Sequence, residues 1–115
     1  MIRIFLAYAS ADRAYMEEFK KHLAPLAKTE MITIWDDGEI VPGGEWRDEV
    51  KKELNSAEIF IPLVSADFFA SRYCYDVELS KAIDQYAKNR TRIVPLIIRD
   101  CDWRNTAIDK FQVLN

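Results

Sequence analysis

The 115-residue chain contains little glycine, histidine or cysteine. Its single histidine, His22, has no histidine or cysteine nearby with which it could share a zinc ion or complete a Ser-His-Asp triad. Cys74 and Cys101 are the only cysteines, lack the CxxC spacing and are expected to be reduced thiols. We therefore expect no metal site, and any chemistry must use carboxylates, hydroxyl groups and the backbone.

Long apolar runs and a strong net charge are also lacking. The longest apolar run, residues 59–64, is too short to cross a bilayer. A net charge of −3 is not that of a nucleic-acid-binding domain, which needs clustered lysine and arginine. The first residues enter a strand pattern at once, so no signal peptide is expected. The composition predicts one cytoplasmic domain, residues 1–115, without a nucleic-acid or membrane partner.

Strand-like and helix-like segments alternate along the chain. Apolar runs at residues 2–8, 31–35, 59–65 and 92–98 predict four buried strands. Apolar residues at helical spacing predict three helices with these stripes: Tyr15, Phe19, Leu23 and Leu26; Trp46, Val50, Leu54 and Ala57; Tyr75, Leu79, Ala82, Ile83 and Tyr86. Such continuously apolar strands with short connections are typical of a parallel sheet covered by helices on both faces.

Prolines and the end of the chain refine this α/β prediction. Pro25 should end or kink the first helix near Ala24, and Pro62 and Pro95 should each cause a local defect in the strand ladder. Residues 67–72 are expected to form a loop or single turn before a helix over residues 74–88. We expect a flavodoxin-like three-layer fold with strand order 2-1-3-4 and room for a short fifth strand. The domain is expected to lack its last strand and helix.

The glycines are concentrated in one loop. Gly38, Gly43 and Gly44 lie within seven residues, with Pro42 between them. Glycine adopts positive φ without steric cost, so this loop has unusual freedom. Lysine and serine or threonine do not follow in the pattern of a phosphate-binding loop, and the acidic residues of the segment would repel phosphate. A structural loop and a partner-binding loop remain open.

Glu78 is the candidate functional carboxylate. In a regular helix it lies about 85° from the centre of the apolar stripe, at its border. Cys74 and Tyr75, one turn earlier, give it semi-apolar surroundings. A carboxylate in a partly dry crevice stabilises developing positive charge or binds sugar hydroxyls. By position alone, a solvated helix glutamate like Glu49 or Glu53 is the simpler interpretation.

Three segments resemble the boxes of Toll/interleukin-1 receptor (TIR) domains, most closely those of prokaryotes. FLAYASADR at residues 5–13 resembles the first box, and WDDGEIVPG at residues 35–43 resembles the second, called the BB loop. SADFFASRYCYDVEL at residues 65–79 is similar to the segment that leads to the family's catalytic glutamate. The resemblance implies a flavodoxin-like fold and, in enzymatic members, cleavage of the nicotinamide–ribose bond of NAD.

The same resemblance implies roles for individual residues. Glu78 would be the catalytic carboxylate that stabilises an oxocarbenium-like transition state. NAD would be the substrate, with no cofactor, and the products nicotinamide plus ADP-ribose or a cyclic isomer. The substrate-binding residues implied are Tyr8, Ala9, Ser10, Trp35, Asp36, Ser71, Cys74 and Tyr75. The BB-loop residues implied in self-association are Asp37, Gly38, Glu39, Ile40, Val41, Pro42 and Gly43.

The implied partners are other TIR domains, in a homo-oligomer or filament, and a sensor domain or protein. Such an effector would serve prokaryotic antiviral defence or stress signalling and act when assembled. The alternative is a non-catalytic module that recruits other TIR domains through the BB loop. Cys74 favours this alternative, because many catalytic relatives carry tryptophan four residues before the glutamate. A third possibility is nucleotide binding without cleavage.

Overall fold

A computed structural model describes residues 1–36 and 46–114, with the backbone alone for Trp46, Arg47 and Tyr73. The strands of this part are β1 Ile2–Ala7, β2 Ile32–Asp36, β3 Ile59–Val64, β4 Arg92–Ile93 and β5 Leu96–Ile97. Its α-helices are α1 Arg13–Lys28, α2 Trp46–Ser56, α3 Ala66–Ala70 and α4 Ser80–Ala87. A 3₁₀ turn, Ser10–Asp12, precedes α1, and a π-helix, Arg72–Leu79, precedes α4.

The strands form one parallel sheet in the order β2-β1-β3-β4, with β5 also paired to β3. Phe5 in the central strand β1 lies opposite Trp35 on one side and Phe60 on the other. The predicted flavodoxin-like order 2-1-3-4 is confirmed. It places β1 and β3 side by side, with the chain leaving both at the same edge of the sheet.

Two prolines mark the interruption of the outer ladder. The predicted fourth strand is divided into β4 and β5, with Pro95 between them. β3 pairs with β4 as far as Phe60 and with β5 from Leu63 onward, so Pro62 lies opposite the same gap. β3 itself runs unbroken through Pro62. Each proline lacks an amide donor, which explains why the ladder is interrupted here.

Both faces of the sheet are covered, as predicted. On one face, Leu6 and Leu63 pack with Met16 of α1. On the other face, Phe5 and Phe60 belong to a larger cluster with helices α2, α3 and α4 and the C-terminal segment. Alternate residues of each strand therefore contribute to two separate cores.

Helix α1 differs from its prediction in length and in its buried stripe. It continues through Pro25 to Lys28 and does not end near Ala24, so the one amide donor that proline lacks does not terminate the helix. The predicted stripe residues Tyr15 and Leu26 are 44% and 41% exposed. The side chains that pack against the sheet are Met16, Phe19, Leu23 and Ala27. The Tyr15 ring instead lies 6.0 Å from the Arg99 guanidinium carbon.

The region predicted as a loop and a third helix contains three consecutive helical pieces. Most of the expected loop is helix α3, and the next helix begins at Arg72 as a π-helix that α4 continues. Two serines explain the boundaries. The Ser65 hydroxyl accepts a hydrogen bond from the Phe68 N–H, and the Ser71 hydroxyl accepts one from the Cys74 N–H, each at 3.1 Å.

After β5 the chain is mostly turns that pack on the core. Ile108 and Phe111 are buried in the cluster beneath α4. Leu114 forms an isolated parallel bridge with Leu96, which adds a short edge to the sheet. In the part of the chain that the structure describes, no helix is long and apolar enough to cross a membrane.

Candidate active site

Glu78 is fully buried and lines a cavity of about 250 Å³ between α2 and the helix that carries it. Helix α2 contributes one wall of this cavity, and the π-helix together with α4 contributes the other. The lining residues are Val50, Lys51, Leu54, Asn55, Val77, Glu78 and Lys81. In a regular α-helix Glu78 would lie at the border of the apolar stripe. In the structure its side chain lies in the interior.

The π-helix accounts for this inward orientation. Its hydrogen bonds run from i to i+5, so each turn contains more residues than an α-helical turn and later side chains rotate relative to regular spacing. Glu78 is the seventh of its eight residues, and Leu79, which follows, is buried in the core. Since π-helical turns are rare and frequently occur at functional sites, this segment points to Glu78 independently of the sequence motif.

The cavity sets one carboxylate among apolar walls. Val50 and Leu54 are buried core residues, and they face Glu78 across the cavity. In such a low-dielectric setting, electrostatic interactions are stronger than in water. Here a carboxylate can stabilise positive charge that develops on a bound molecule or accept hydrogen bonds from its hydroxyl groups.

The predicted substrate-binding residues Tyr8 and Asp36 form a different cluster. The Tyr8 hydroxyl donates to Asp36 Oδ1 at 3.4 Å, and Lys20 Nζ lies 3.0 Å from Asp36 Oδ2. Tyr8 packs in the core on the α1 side of the sheet. Trp35, adjacent to Asp36, packs on the opposite side, with its ring centre 5.0 Å from that of Phe5. The sheet therefore separates Tyr8 from the core that contains Trp35.

Cys74 and Ser71 connect the π-helix to the end of β1. The Cys74 thiol donates to the Tyr8 carbonyl oxygen at 3.2 Å. Ser71 caps the first turn through its hydroxyl. Ala9 is buried at the start of the 3₁₀ turn, whereas Ser10 is exposed. Cys74 thus fixes the helix of Glu78 to the strand end at which substrate binding is predicted.

Tyr75 faces the C-terminal segment. Its hydroxyl accepts a hydrogen bond from the Ala107 N–H at 3.0 Å, and its ring makes an edge contact with Phe69 at 5.2 Å. Cys74 and Tyr75 are absent from the described lining of the Glu78 cavity. The structure therefore brings Glu78 together with α2 residues that the sequence analysis did not assign to the site.

An ionic cluster around the buried Asp12, at the carboxyl edge of the sheet, was also missed. Asp12 is fully buried; its carboxylate accepts hydrogen bonds from the Ser65 hydroxyl at 2.5 Å and from Arg99 Nε at 2.9 Å. Arg99 Nη2 lies 2.6 Å from Asp67 Oδ2. The hydrogen bonds to Asp67 and Asp12 raise the pKa of Arg99, and the bond to Asp67 has the larger effect. The signal available in the sequence was an arginine directly after a buried apolar run.

Neither Cys74 nor Cys101 forms a disulfide in the part of the chain that the structure describes. Burial raises the pKa of the Cys101 thiol, which favours its protonated form. Among residues 1–36 and 46–114, no group of three or more histidine, cysteine, aspartate or glutamate side chains is arranged to hold a metal ion. The self-association residues predicted at positions 37–43 lie outside the described residues.

Comparison with known proteins decides the family. The model of the TIR domain family matches residues 4–115. The chain belongs to the TIR domain family. The protein y4lF of Sinorhizobium fredii is 32% identical to this TIR domain over 114 residues, which are 99% of the chain and 35% of y4lF. A probable 2′ cyclic ADP-D-ribose synthase, TcpO of Methanobrevibacter olleyae, is 31% identical over 71 residues, or 61% of the chain and 20% of that protein. The TIR domain therefore spans only about a third of the length of y4lF and about a fifth of the length of TcpO.

Solved structures confirm the fold. The TIR domain of the Toll-related receptor TRR-2 from Hydra magnipapillata matches with a TM-score of 0.73 at 19% identity, over 96% of this chain and 81% of that one. The TIR domains of the Roq1 resistosome, which recognises the effector XopQ, match with a TM-score of 0.63 at 20% identity, over 84% and 57%. At these identities the likeness establishes the flavodoxin-like TIR fold.

Proposed function

We propose that this TIR domain cleaves the nicotinamide–ribose bond of NAD, releasing nicotinamide and ADP-ribose or a cyclic isomer of ADP-ribose. The observation that carries the proposal is the Glu78 carboxylate, buried in a cavity with apolar walls. The relationship to a protein named as a probable cyclic ADP-ribose synthase supports it, over 61% of the chain.

The chemistry follows from the charge of the leaving group. The C1′–N bond breaks with its electron pair moving to nicotinamide, which leaves as a neutral molecule, while positive charge develops on the ribose. The Glu78 carboxylate stabilises that charge, and the apolar walls formed by Val50 and Leu54 strengthen the interaction by excluding water. Water then adds its oxygen to C1′ and releases a proton, giving ADP-ribose. Attack on C1′ by a hydroxyl group of the same ADP-ribosyl cation, with loss of that hydroxyl's proton, gives a cyclic product instead.

The size of the cavity suits one half of the dinucleotide. Its volume of about 250 Å³ lies just below the range of about 300–1,000 Å³ typical of complete small-molecule pockets. The nicotinamide riboside half would occupy the cavity, and the rest of NAD would extend past its rim. In the proposed function, the domain acts when it self-associates through residues 37–43. A sensor domain or protein triggers this in a prokaryotic defence or signalling system in the cytoplasm.

The direct test incubates the assembled full-length protein with NAD and follows nicotinamide by chromatography. Glu78→Gln removes the negative charge with little change in shape, and we expect turnover to fall by about 100-fold or more. Glu49→Gln is the matched control, because Glu49 is an exposed glutamate of α2 outside the cavity lining. Equal turnover by the Glu78 variant, or no turnover by the native assembly, contradicts the proposal.

The environment of Cys74 and Tyr75 favours a second candidate, a non-catalytic TIR–TIR interaction module. Cys74 bonds to a backbone carbonyl and Tyr75 to the C-terminal segment, so neither supplies an aromatic surface to the cavity. This candidate predicts that Glu78→Gln leaves the biological response intact. Substitution of Pro42 or Gly43 would instead abolish self-association.

A further inference from the structure

Two lysines stand at the rim of the cavity that contains Glu78. Lys51 projects from α2 and Lys81 from α4, and both are exposed residues that line the cavity. Asn55 lies one helical turn after Lys51 and lines the same wall. The cavity thus has an anionic group in its interior and cationic and amide donors at its opening.

Within residues 1–36 and 46–114, neither lysine forms an ion pair with a neighbouring acid. Asp48 lies one turn before Lys51, and Asp84 lies one turn after Lys81, at positions where helical ion pairs form. Among the described residues, ion pairs form elsewhere, and none involves Lys51 or Lys81. Both ammonium groups are therefore available to an anionic ligand at the opening of the cavity.

We propose that Lys51, Lys81 and Asn55 form the subsite for the diphosphate of the dinucleotide. This inference rests on the proposed function and adds a part of the site that the TIR boxes do not include. In NAD, a single methylene and an ester oxygen join the ribose ring to the first phosphate. A ribose held against the buried Glu78 therefore places the diphosphate at the rim, where the lysines lie.

The charges of NAD explain why the cavity needs both the Glu78 carboxylate and the two lysines. The nicotinamide end of NAD is cationic and the diphosphate is anionic. The cationic end therefore lies at the Glu78 carboxylate, and the anionic diphosphate lies at the two lysines. Lysine binds phosphate as a point charge with three donors, and the Asn55 amide adds a neutral donor. Because the lysines are exposed, their attraction for phosphate is screened by salt.

The test uses full-length protein carrying Glu78→Gln, so that ligand is not consumed, and titrates it with ADP-ribose by calorimetry at low and high salt. Adding Lys51→Gln and Lys81→Gln together should raise the Kd for ADP-ribose by at least about tenfold and weaken its salt dependence. The matched control adds Lys52→Gln and Lys88→Gln, exposed lysines outside the cavity lining, and should bind as the parent does. Adenosine, which has no phosphate, should bind all three proteins equally.

The subsite is overturned by equal ADP-ribose affinity in the cavity-lysine variant and the control, or by no binding to the parent. An equal loss of adenosine and ADP-ribose affinity also overturns it, since this would indicate distortion of the cavity. The proposed enzymatic function fails separately. If the wild type does not turn over NAD while the lysine pair still determines ADP-ribose affinity, the subsite stands and cleavage does not.

Discussion

Ser65 joins the ends of two central strands through one hydroxyl group. The hydroxyl donates a hydrogen bond to the buried Asp12 carboxylate and accepts one from the Phe68 N–H. The same group therefore stabilises a buried charge and caps helix α3. Arg99 binds the same carboxylate. A buried carboxylate is tolerated when it is paired and hydrogen-bonded, and these two partners provide that. The cluster links the segments that follow β1 and β3 at the carboxyl edge of the sheet.

Ser65→Ala should lower the free energy of unfolding by about 1–3 kcal/mol, because it removes a helix cap and one hydrogen bond to a buried carboxylate. Urea denaturation measures the change. Ser80→Ala is the control, since Ser80 is exposed on α4 and should shift stability by less than about 0.5 kcal/mol. Equal losses from both substitutions would show that the bonds to Ser65 are not stabilising.

At the scale of single residues, the sequence identified Glu78 as a candidate but not its burial. Regular helical spacing placed it at the border of the apolar stripe, whereas in the structure it belongs to a π-helix and is fully buried. Asp12 stood in a recognised box without a role, because its partners Ser65 and Arg99 are 53 and 87 residues away in sequence. Contacts of that separation leave no local pattern.

Among the elements, α1 shows how position within a helix decides the effect of proline. Pro25 leaves the Lys21 carbonyl without its usual amide donor, yet the helix continues to Lys28. The Thr29 hydroxyl contacts the Pro25 carbonyl at 3.2 Å, and Glu30 then takes a positive φ of 61° as the chain leaves the helix. The end of α1 is thus set by this turn and not by the proline.

Pro25→Ala should raise the free energy of unfolding by about 1–3 kcal/mol, because it restores the amide donor and relieves the clash of the proline ring with the preceding turn. Thermal or urea denaturation provides the measurement. His22→Ala, at an exposed position of the same helix, is the control and should have little effect. An unchanged or lowered stability in the proline variant would mean that the helix end already accommodates the ring.

The elements themselves were largely predictable, and their boundaries were not. Continuous apolar runs predicted the strands, because buried parallel strands need apolar residues on both faces. The division of residues 66–87 into α3, a π-helix and α4 depends on Ser65 and Ser71 as caps. These serines fitted a loop equally well in the sequence.

At the scale of the molecule, strand order predicts which residues meet at one edge of the sheet. It does not predict the face of the sheet on which each side chain lies. Tyr8 directly follows β1, and Trp35 and Asp36 are the last two residues of β2. Side chains of successive strand residues point to opposite faces, so Trp35 and Asp36 enter different cores. The resemblance to the TIR boxes grouped these residues and did not distinguish the two faces of the sheet. The structure therefore contains two candidate places for NAD, the Glu78 cavity and the Tyr8–Asp36 cluster.

A crystal structure of the assembled Glu78→Gln protein with NAD distinguishes these two places most directly. Our account predicts the nicotinamide riboside in the cavity between α2 and the π-helix, with the side chain of residue 78 against the ribose. Density for the dinucleotide beside Tyr8 and Asp36 on the α1 side, with the cavity empty, would contradict it.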